Sequence, residues 1–176
     1  KIPANVTRIE SETFYGCSGL TTIKIPTNVT HIGSRAFCCC RGLTSIEIPS
    51  SVKSIEGNVF RECLEVSSIK VDKNNKMYDS REDCNAIIDS KTNTLITGCM
   101  STIIPNNTTS IGSDAFYHIR KLTSINIPGS VNSIGATAFR GTHITSIEIP
   151  DNVTSIGSGA FWDCERLTSV KLPNNL

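Results

Sequence analysis

Residues 25–47 read I-P-T-N-V-T-H-I-G-S-R-A-F-C-C-C-R-G-L-T-S-I-E, and the same pattern recurs along the whole chain. Its consensus is I-P-x-x-V-x-x-I-G-x-x-A-F-x-x-C-x-x-L-T-S-I-x, and the commonest spacing between copies is 23 residues. A fixed period in the twenties predicts one supersecondary unit stacked on copies of itself, with function on an extended surface. The opening pair of each copy lies at Ile2-Pro3, Ile25-Pro26, Ile48-Pro49, Ile104-Pro105, Ile127-Pro128 and Ile149-Pro150, and Leu172-Pro173 closes the series.

The last segment of each copy has the form L-x-x-I-x-I, the strand signature of a leucine-rich repeat. Side chains alternate along such a strand, so Ile46 and Ile48 face the interior while Ser45 and Glu47 face outward. Pro49 then ends the strand, because proline cannot donate a ladder hydrogen bond. The V-x-x-I-G segment predicts a second, shorter strand on the opposite wall, followed by a helical turn of one or two windings.

These segments predict the fold class: a repeat solenoid, namely a leucine-rich-repeat right-handed β/α superhelix. It should be β-rich, with short helical turns and about seven coils of 22–23 residues forming a single domain over residues 1–176. We expect the L-x-x-I-x-I segments to form one continuous parallel sheet. The interior should hold a column of aromatic rings at Phe14, Phe37, Phe60, Phe116, Phe139 and Phe161.

The motifs I-P-x-x-V-x-x-I-G-x-x-A-F-x-x-C and L-T-S-I-E-I-P resemble the BspA-like leucine-rich repeat family of bacterial cell-surface proteins, which is also found in some parasitic protists. The resemblance covers nearly the whole chain. It implies an extracellular or cell-surface location and a role in adhesion, since some members bind host matrix proteins. The chain starts and ends inside a repeat, so we expect a fragment of a longer protein.

One repeat breaks the period. Ile48 and Ile104 are 56 residues apart, ten more than two periods, which places an atypical repeat at residues 71–103. Two apolar runs, 85–88 and 94–97, flank a polar turn and predict a β-hairpin insertion. A similar Y-D-S-x-x-x-C-N-A-I-I insertion accompanies many bacterial members of the resembled family. The hairpin is interpreted either as an irregular coil that keeps the register or as a ligand-binding protrusion.

Composition and motifs argue against several functional classes. Lys and Arg total 17 and Asp and Glu total 16, with no basic run, so nucleic-acid binding has little support. The sequence contains no apolar stretch of 18 residues, so it does not predict membrane insertion. His31, His118 and His143 lie at different phases of the repeat, and Glu47 and Glu148 should lie ~20 Å apart. We therefore expect a protein that is not an enzyme and needs no cofactor or metal.

The eight cysteines fall into three groups. Four share one column of the repeat and are expected to be buried free thiols that donate weakly to backbone carbonyls: Cys17, Cys40, Cys63 and Cys164. Cys38 and Cys39 are expected to be exposed. Cys84 and Cys99 lie opposite each other if Ile88 pairs with Leu95, which makes them the candidate disulfide, unless one of them fills the vacant column position.

The outward face of the predicted sheet is the candidate binding surface. Alternating charges such as Glu47 beside Lys70 also have a structural interpretation as lateral ion pairs. The face lacks the Tyr, Trp and Arg anchors of strong interfaces, and a competing patch follows Tyr15, Tyr117 and Trp162. The candidate binding residues are Ser45, Glu47, Ser68, Lys70, Ser124, Asn126, Ser146 and Glu148.

Two functions remain open from the sequence. The first is a non-catalytic protein-interaction module that binds a host or microbial protein or glycan, and the second is a passive structural spacer that presents other domains. The apolar residues Ile2, Ile9 and Phe14 at one end, and Val170 and Leu172 at the other, also predict end-to-end self-association.

Overall fold

The computed structural model describes residues 1–173 as a β-solenoid of about seven coils. The last three residues of the predicted domain, 174–176, lie outside the described part. We number the coils from one Ile-Pro pair to the next, with the irregular repeat as coil 4. The coils are 2–24, 25–47, 48–70, 71–103, 104–126, 127–148 and 149–171.

Short strands line two walls of the solenoid, because β-branched side chains alternate there with polar ones. One wall has a strand in every regular coil, whereas the other has strands in coils 2, 3, 6 and 7. The L-x-x-I-x-I segments form the first wall, and the V-x-x-I-G segments form the second wall. The strands are β1 (Arg8–Ile9), β2 (His31–Ile32), β3 (Ser45–Ile48), β4 (Ser54–Ile55), β5 (Ser68–Val71), β6 (Tyr78–Asp79), β7 (Ile87–Asp89), β8 (Thr94–Thr97), β9 (Ser110–Ile111), β10 (Ser133–Ile134), β11 (Ser146–Glu148), β12 (Ser155–Ile156) and β13 (Ser169–Lys171).

The second wall carries the longer sheets. β1, β2 and β4 pair in parallel, with Ile9 opposite Ile32 and Ile32 opposite Ile55. A six-stranded sheet follows in the order β12-β10-β9-β8-β7-β6. Within it, β6, β7 and β8 are antiparallel neighbours, so the predicted hairpin extends this wall and pairs in parallel with β9. The insertion is therefore part of the second-wall sheet.

The first wall is not one continuous sheet, and that prediction is wrong. β3 pairs with β5, and β11 pairs with β13, as two separate parallel pairs. The break follows from coil 4. The backbone N–H groups of Ile69 and Val71 donate to side chains of the insertion, Asn85 Oδ1 at 3.4 Å and Ser80 Oγ at 3.0 Å. No neighbouring strand of coil 4 accepts from them within residues 1–173. Polar side chains thus cap the outer edge of β5.

A third wall, the turn wall, joins the second wall to the first. The predicted helical turns are tight turns instead, in which two residues four positions apart have positive φ. The described residues hold one 3-10 helix, Arg81–Asp83. In coil 1, Glu12 and Gly16 have positive φ, and their N–H groups donate to the carbonyls of Ser34 and Cys38 in coil 2. A helix would keep these donors within its own coil, whereas the turns direct them to the neighbouring coil.

The Phe column stacks as predicted, in two runs. Ring centroids lie 5.2 and 5.4 Å apart along Phe14, Phe37 and Phe60, and 5.0 and 5.4 Å apart along Phe116, Phe139 and Phe161. The hydrophobic core divides in the same way, one cluster lying mainly in coils 1–3 and the other mainly in coils 5–7, with both reaching into coil 4. Coil 4 is therefore the seam between two packed halves.

Close packing between coil 4 and coil 5 requires a glycine at position 98. A Cβ on Gly98 would overlap the ring of Phe116, so no larger residue fits where coil 4 meets the second Phe run. The amide of Gly98 donates to the carbonyl of Ala115, which continues the ladder from coil 4 to coil 5. The corresponding amides of coil 3, at Asn58, Phe60 and Glu62, donate to no backbone carbonyl within residues 1–173.

The cysteine predictions are confirmed in part. Cys40 and Cys63 are buried free thiols that donate to the carbonyls of Phe14 and Phe37 at 3.2 Å, and the partly buried Cys164 donates to Phe139 at 3.1 Å. Cys17 is exposed, contrary to the prediction. The thiols thus tie one coil to the coil before it.

The prediction that Cys38 and Cys39 are exposed is wrong, and of the two alternatives left open for Cys84 and Cys99 the structure has the free thiols. Cys38 is buried and Cys39 is half-buried. Their sulfurs lie 3.7 Å apart in the turn wall, and Cys39 donates to Glu62. Cys84 and Cys99 are both free. Ile88 does pair with Leu95, but a bulge then sets Ile87 opposite Thr97, so the register that would align the two cysteines is lost.

Candidate binding surface

The eight residues predicted to bind a ligand lie in two groups on the first wall, one on each side of coil 4. Ser45, Glu47, Ser68 and Lys70 line a shallow depression of about 580 Å³ over β3 and β5. The strand register sets Ser45 beside Ser68 and Glu47 beside Lys70. Apolar residues such as Ile23 and Pro49 also line this depression, so its surface is mixed.

The second group lines a depression of about 440 Å³ on coils 4, 5 and 6. It contains Ser124, Asn126, Ser146 and Glu148, and the adjoining residue of coil 4 is Ile103. The side chain of Ile103 is 73% exposed, which is the largest exposed fraction among the bulky apolar residues described. An apolar side chain thus projects from a wall whose other outward residues are polar or charged.

Sequence reasoning missed Ile103, although a signal for it existed. The outward column lies two residues before each proline of an Ile-Pro pair, as at Glu47 and Asn126. Counting two residues back from Pro105 gives Ile103 in the same column. The irregular length of coil 4 hides this position, because counting forward from Ile48 by whole 23-residue periods does not reach it.

The charges of this wall pair only in part. Lys171 Nζ donates to Glu148 Oε1 at 2.5 Å, and this hydrogen bond, followed by the carboxylate charge, raises the pKa of Lys171. Both side chains are more than half exposed, so water screens the pair. Glu47 and Lys70 are lateral neighbours but form no ion pair within the described residues. Their charges therefore face solvent over the first depression.

The competing aromatic patch lies on the turn wall and is not continuous. Tyr15 and Trp162 are 52% and 63% exposed, whereas Tyr117 is buried. Tyr117 is covered because the guanidinium carbon of Arg61 lies 3.6 Å from its ring centroid. Sequence reasoning named the aromatic residues and missed the arginines of the same column.

The histidines do not converge on a common site. His31 Nδ1 lies 2.8 Å from the Thr30 hydroxyl. His118 Nε2 lies 3.9 Å from Asp163, and burial, ahead of the neighbouring charges, lowers the pKa of His118. Within residues 1–173, no group of three or more His, Cys, Asp and Glu side chains is arranged to hold a metal ion. The described part of the chain also contains no helix with the length and apolar character needed to cross a bilayer.

Comparison with known proteins supports the repeat assignment. A family model described as a BspA type leucine rich repeat region matches six copies over residues 1–90 and 88–176. Among solved structures, a leucine rich cell surface protein from Faecalibacterium prausnitzii shares 28% identity with a TM-score of 0.65, and the match covers 99% of this chain and 41% of that one. No curated protein matches this chain.

Two further solved structures show likeness of fold alone. A leucine-rich repeat protein from Eubacterium ventriosum is 22% identical over 96% of this chain and 58% of its own, with a TM-score of 0.67. The pneumococcal vaccine antigen PcpA is 18% identical over 99% of this chain and 62% of its own, with a TM-score of 0.65. The chain thus spans 41% to 62% of the length of these three structures.

The repeat columns, the stacked coils and a family match that runs from the first residue to the last have one reading: the chain belongs to the BspA-type leucine-rich repeat family.

Proposed function

We propose that this chain is part of a non-catalytic recognition module of a bacterial cell-surface or secreted protein. In this proposal the first wall binds a protein or a glycan, and the module serves adhesion. The observation that carries it is the exposed Ile103 at the edge of the second depression, beside Asn126 and Glu148. An apolar anchor surrounded by polar groups that can donate and accept is a common arrangement at protein interfaces.

The surface location rests on the family and on one named relative. The Faecalibacterium prausnitzii protein with 28% identity is a leucine rich cell surface protein by name. An extended wall of stacked coils offers a large, shallow surface, which suits a macromolecular partner better than a small metabolite. The eight predicted residues and Ile103 form the proposed contact surface, with the first depression supplying polar and charged contacts.

A binding screen tests this proposal. The purified chain is screened against immobilised extracellular-matrix proteins and a glycan array, and each ligand retained is measured again with Ile103→Ser and with the double variant Glu47→Lys, Lys70→Glu. We expect Ile103→Ser to weaken binding about tenfold, because truncating a central anchor removes apolar contact area. Met77→Ser is the matched control, since Met77 is an exposed apolar residue that does not line either depression.

The alternative is a passive spacer, and one observation favours it. Glu148 is held by Lys171 of the neighbouring strand, so part of the outward charge supports the stack itself. A spacer predicts that no ligand is retained in the screen. It also predicts that the first-wall variants give the same result as the parent in this screen. Retention of a ligand that depends on Ile103 excludes it.

A further inference from the structure

Four side chains of the turn wall form a stack that crosses coils 3, 5, 6 and 7. The guanidinium carbon of Arg61 lies 3.6 Å from the centroid of Tyr117, and that of Arg140 lies 5.4 Å from the same ring. Arg140 also lies 4.2 Å from the ring of Trp162, which is 63% exposed. We call Arg61, Tyr117, Arg140 and Trp162 the turn-wall stack. It alternates cation and ring along the solenoid axis.

Both guanidinium groups of the stack lack an anionic partner. No ion pair joins either group to a carboxylate within residues 1–173, and the neighbour on which Arg61 packs is Tyr117. The Nε atoms of Arg61 and Arg140 are buried without an acceptor, whereas their terminal nitrogens are not among the buried unsatisfied atoms. The fork of each group therefore keeps free donors that water or a ligand can reach.

The acidic residues around the stack are held by other groups. Asp114 accepts a hydrogen bond from the Thr137 hydroxyl at 2.7 Å, and Glu62 accepts one from Arg41 at 2.9 Å. Asp163 faces His118 at 3.9 Å. None of these three carboxylates forms an ion pair with a stacked guanidinium group.

A structural role accounts for one end of the stack only. Between coils 3 and 5 the backbone ladder of the turn wall is missing, and the contact of Arg61 with Tyr117 spans that gap together with the Lys121–Glu65 ion pair. At the other end the ladder is complete, since the amide of Gly141 donates to the carbonyl of Trp162. Arg140 and Trp162 therefore do not replace a missing backbone contact.

We propose that the Arg140–Trp162 end of the turn-wall stack, extended by Arg61, is a binding site for an acidic saccharide. A pyranose ring packs its apolar C–H face on an exposed indole, and a carboxylate or sulfate on the same ring then meets the adjacent guanidinium with two parallel hydrogen bonds. Tyr117 and Trp162 hold Arg140 in place before the ligand arrives, which lowers the ordering cost. This site is independent of the first wall.

The sugar chemistry is favoured over an acidic peptide by the arrangement of the two groups. The guanidinium carbon of Arg140 lies 4.2 Å from the ring centroid of Trp162. One rigid sugar residue that carries its charge on the ring can therefore contact both side chains. An aspartate or glutamate side chain carries its carboxylate on a flexible stem and presents no flat apolar face beside it.

Trp162 is the one tryptophan of the chain, so its fluorescence reports on the site directly. The chain is titrated with a chondroitin sulfate oligosaccharide, with a neutral chito-oligosaccharide of the same length, and with a Glu-rich peptide of the same charge. We expect a saturable change in emission with the sulfated saccharide that weakens at high ionic strength. We expect Arg140→Gln to weaken binding about tenfold, as for loss of a charge-assisted bidentate contact.

Arg166→Gln is the matched control, because it removes the same charge from an exposed residue that lies outside the stack. It should bind like the parent, and thermal unfolding checks that both variants fold. The proposal is overturned by the absence of a saturable change with the sulfated saccharide, by an equal response to the neutral saccharide or the peptide, or by equal effects of Arg140→Gln and Arg166→Gln. Arg61→Gln is a second variant, expected to weaken binding and also to destabilise the seam.

Discussion

Two buried threonine hydroxyl groups of this fold differ in whether they form a hydrogen bond. Thr108 occupies the column that is Val in the other regular coils, and its Oγ1 is buried without a hydrogen-bond partner. Thr142 is also fully buried, but its Oγ1 donates to the carbonyl of Phe139 at 2.8 Å. The two residues therefore form a natural pair for testing what a satisfied hydroxyl contributes.

Thr108→Val should raise the free energy of unfolding by about 1–2 kcal/mol, because it removes an unsatisfied polar group and keeps the shape. Thr142→Val should lower it by about 1 kcal/mol, because it removes a made hydrogen bond. Urea unfolding of both variants beside the parent measures the difference. Equal signs for the two substitutions would contradict this reading of the core.

Thiol reactivity should follow burial at the cysteines. Burial raises the pKa of Cys38 to about 12 and that of Cys84 to about 11, so both are almost entirely protonated near pH 8, where the thiolate is the reactive form. Cys17 is exposed. We expect native alkylation to modify Cys17 first, and denaturation without reductant to release all eight thiols. Recovery of a peptide pair linked through Cys84 and Cys99 by mass mapping would show that the hairpin register is wrong.

At this scale the sequence predicts which columns are buried, since Val, Ile and Phe repeat in phase. It does not predict the burial of Cys38, because other coils carry Tyr15, Arg61 and Trp162 in the same column, residue types that are usually exposed at least in part. Ile103 could have been placed from Pro105. The arginine stacking on Tyr117 could not, because coil 4 brings coil 3 and coil 5 together on the turn wall.

Among the elements, coil 4 is joined to coil 3 mostly by side chains. The hydroxyl of Tyr78 accepts a hydrogen bond from the amide of Ile55 at 2.9 Å, where a second-wall strand would otherwise supply a carbonyl. Asn75 reaches back in the same way, with its amide donating to the carbonyls of Pro49 and Val52. The insertion thus carries its own set of substitutes for the missing ladder.

Tyr78→Phe should lower the free energy of unfolding by about 1–3 kcal/mol, because the amide of Ile55 then loses its acceptor in a partly buried place. Tyr15→Phe is the control, since Tyr15 is exposed and lies in coil 1, whereas the joint lies between coils 3 and 4. Chemical denaturation measures both. A loss for Tyr15→Phe as large as for Tyr78→Phe would rule out the joint as the cause.

The sequence predicts that the hairpin exists, but it does not predict how the hairpin changes the first-wall sheet. Ile88 pairs with Leu95 as the polar turn between the two apolar runs indicated. The bulge after it, and the capping of β5 by Ser80 and Asn85, depend on contacts between segments with no period to reveal them. A local pattern predicts a strand, but the ladder also needs a partner with free donors and acceptors.

Over the whole molecule, the two core clusters should behave as coupled but separable folding units. Each coil contacts mainly its neighbours, so stability is close to a sum of local terms, and a weak seam lowers cooperativity. The missing turn-wall ladder between coils 3 and 5 makes coil 4 that seam.

Phe139→Ala should therefore unfold one half selectively. Phe37 and Phe139 are both fully buried in the middle of their Phe runs, and each truncation should cost about 3–5 kcal/mol. We expect hydrogen exchange to show lost protection in coils 5–7 for Phe139→Ala and in coils 1–3 for Phe37→Ala. Uniform loss of protection across the seam in either variant would mean that the solenoid unfolds as one unit.

The side-chain cap on β5 has a consequence for how such a chain changes over generations. Coil 4 caps the edge amides of β4 and β5 through Ser80, Asn85 and Tyr78, all of which it supplies itself. Unequal recombination between repeated stretches of the gene adds or removes whole 23-residue units elsewhere and leaves these contacts intact. The solenoid can therefore lengthen or shorten on either side while coil 4 stays as a fixed landmark.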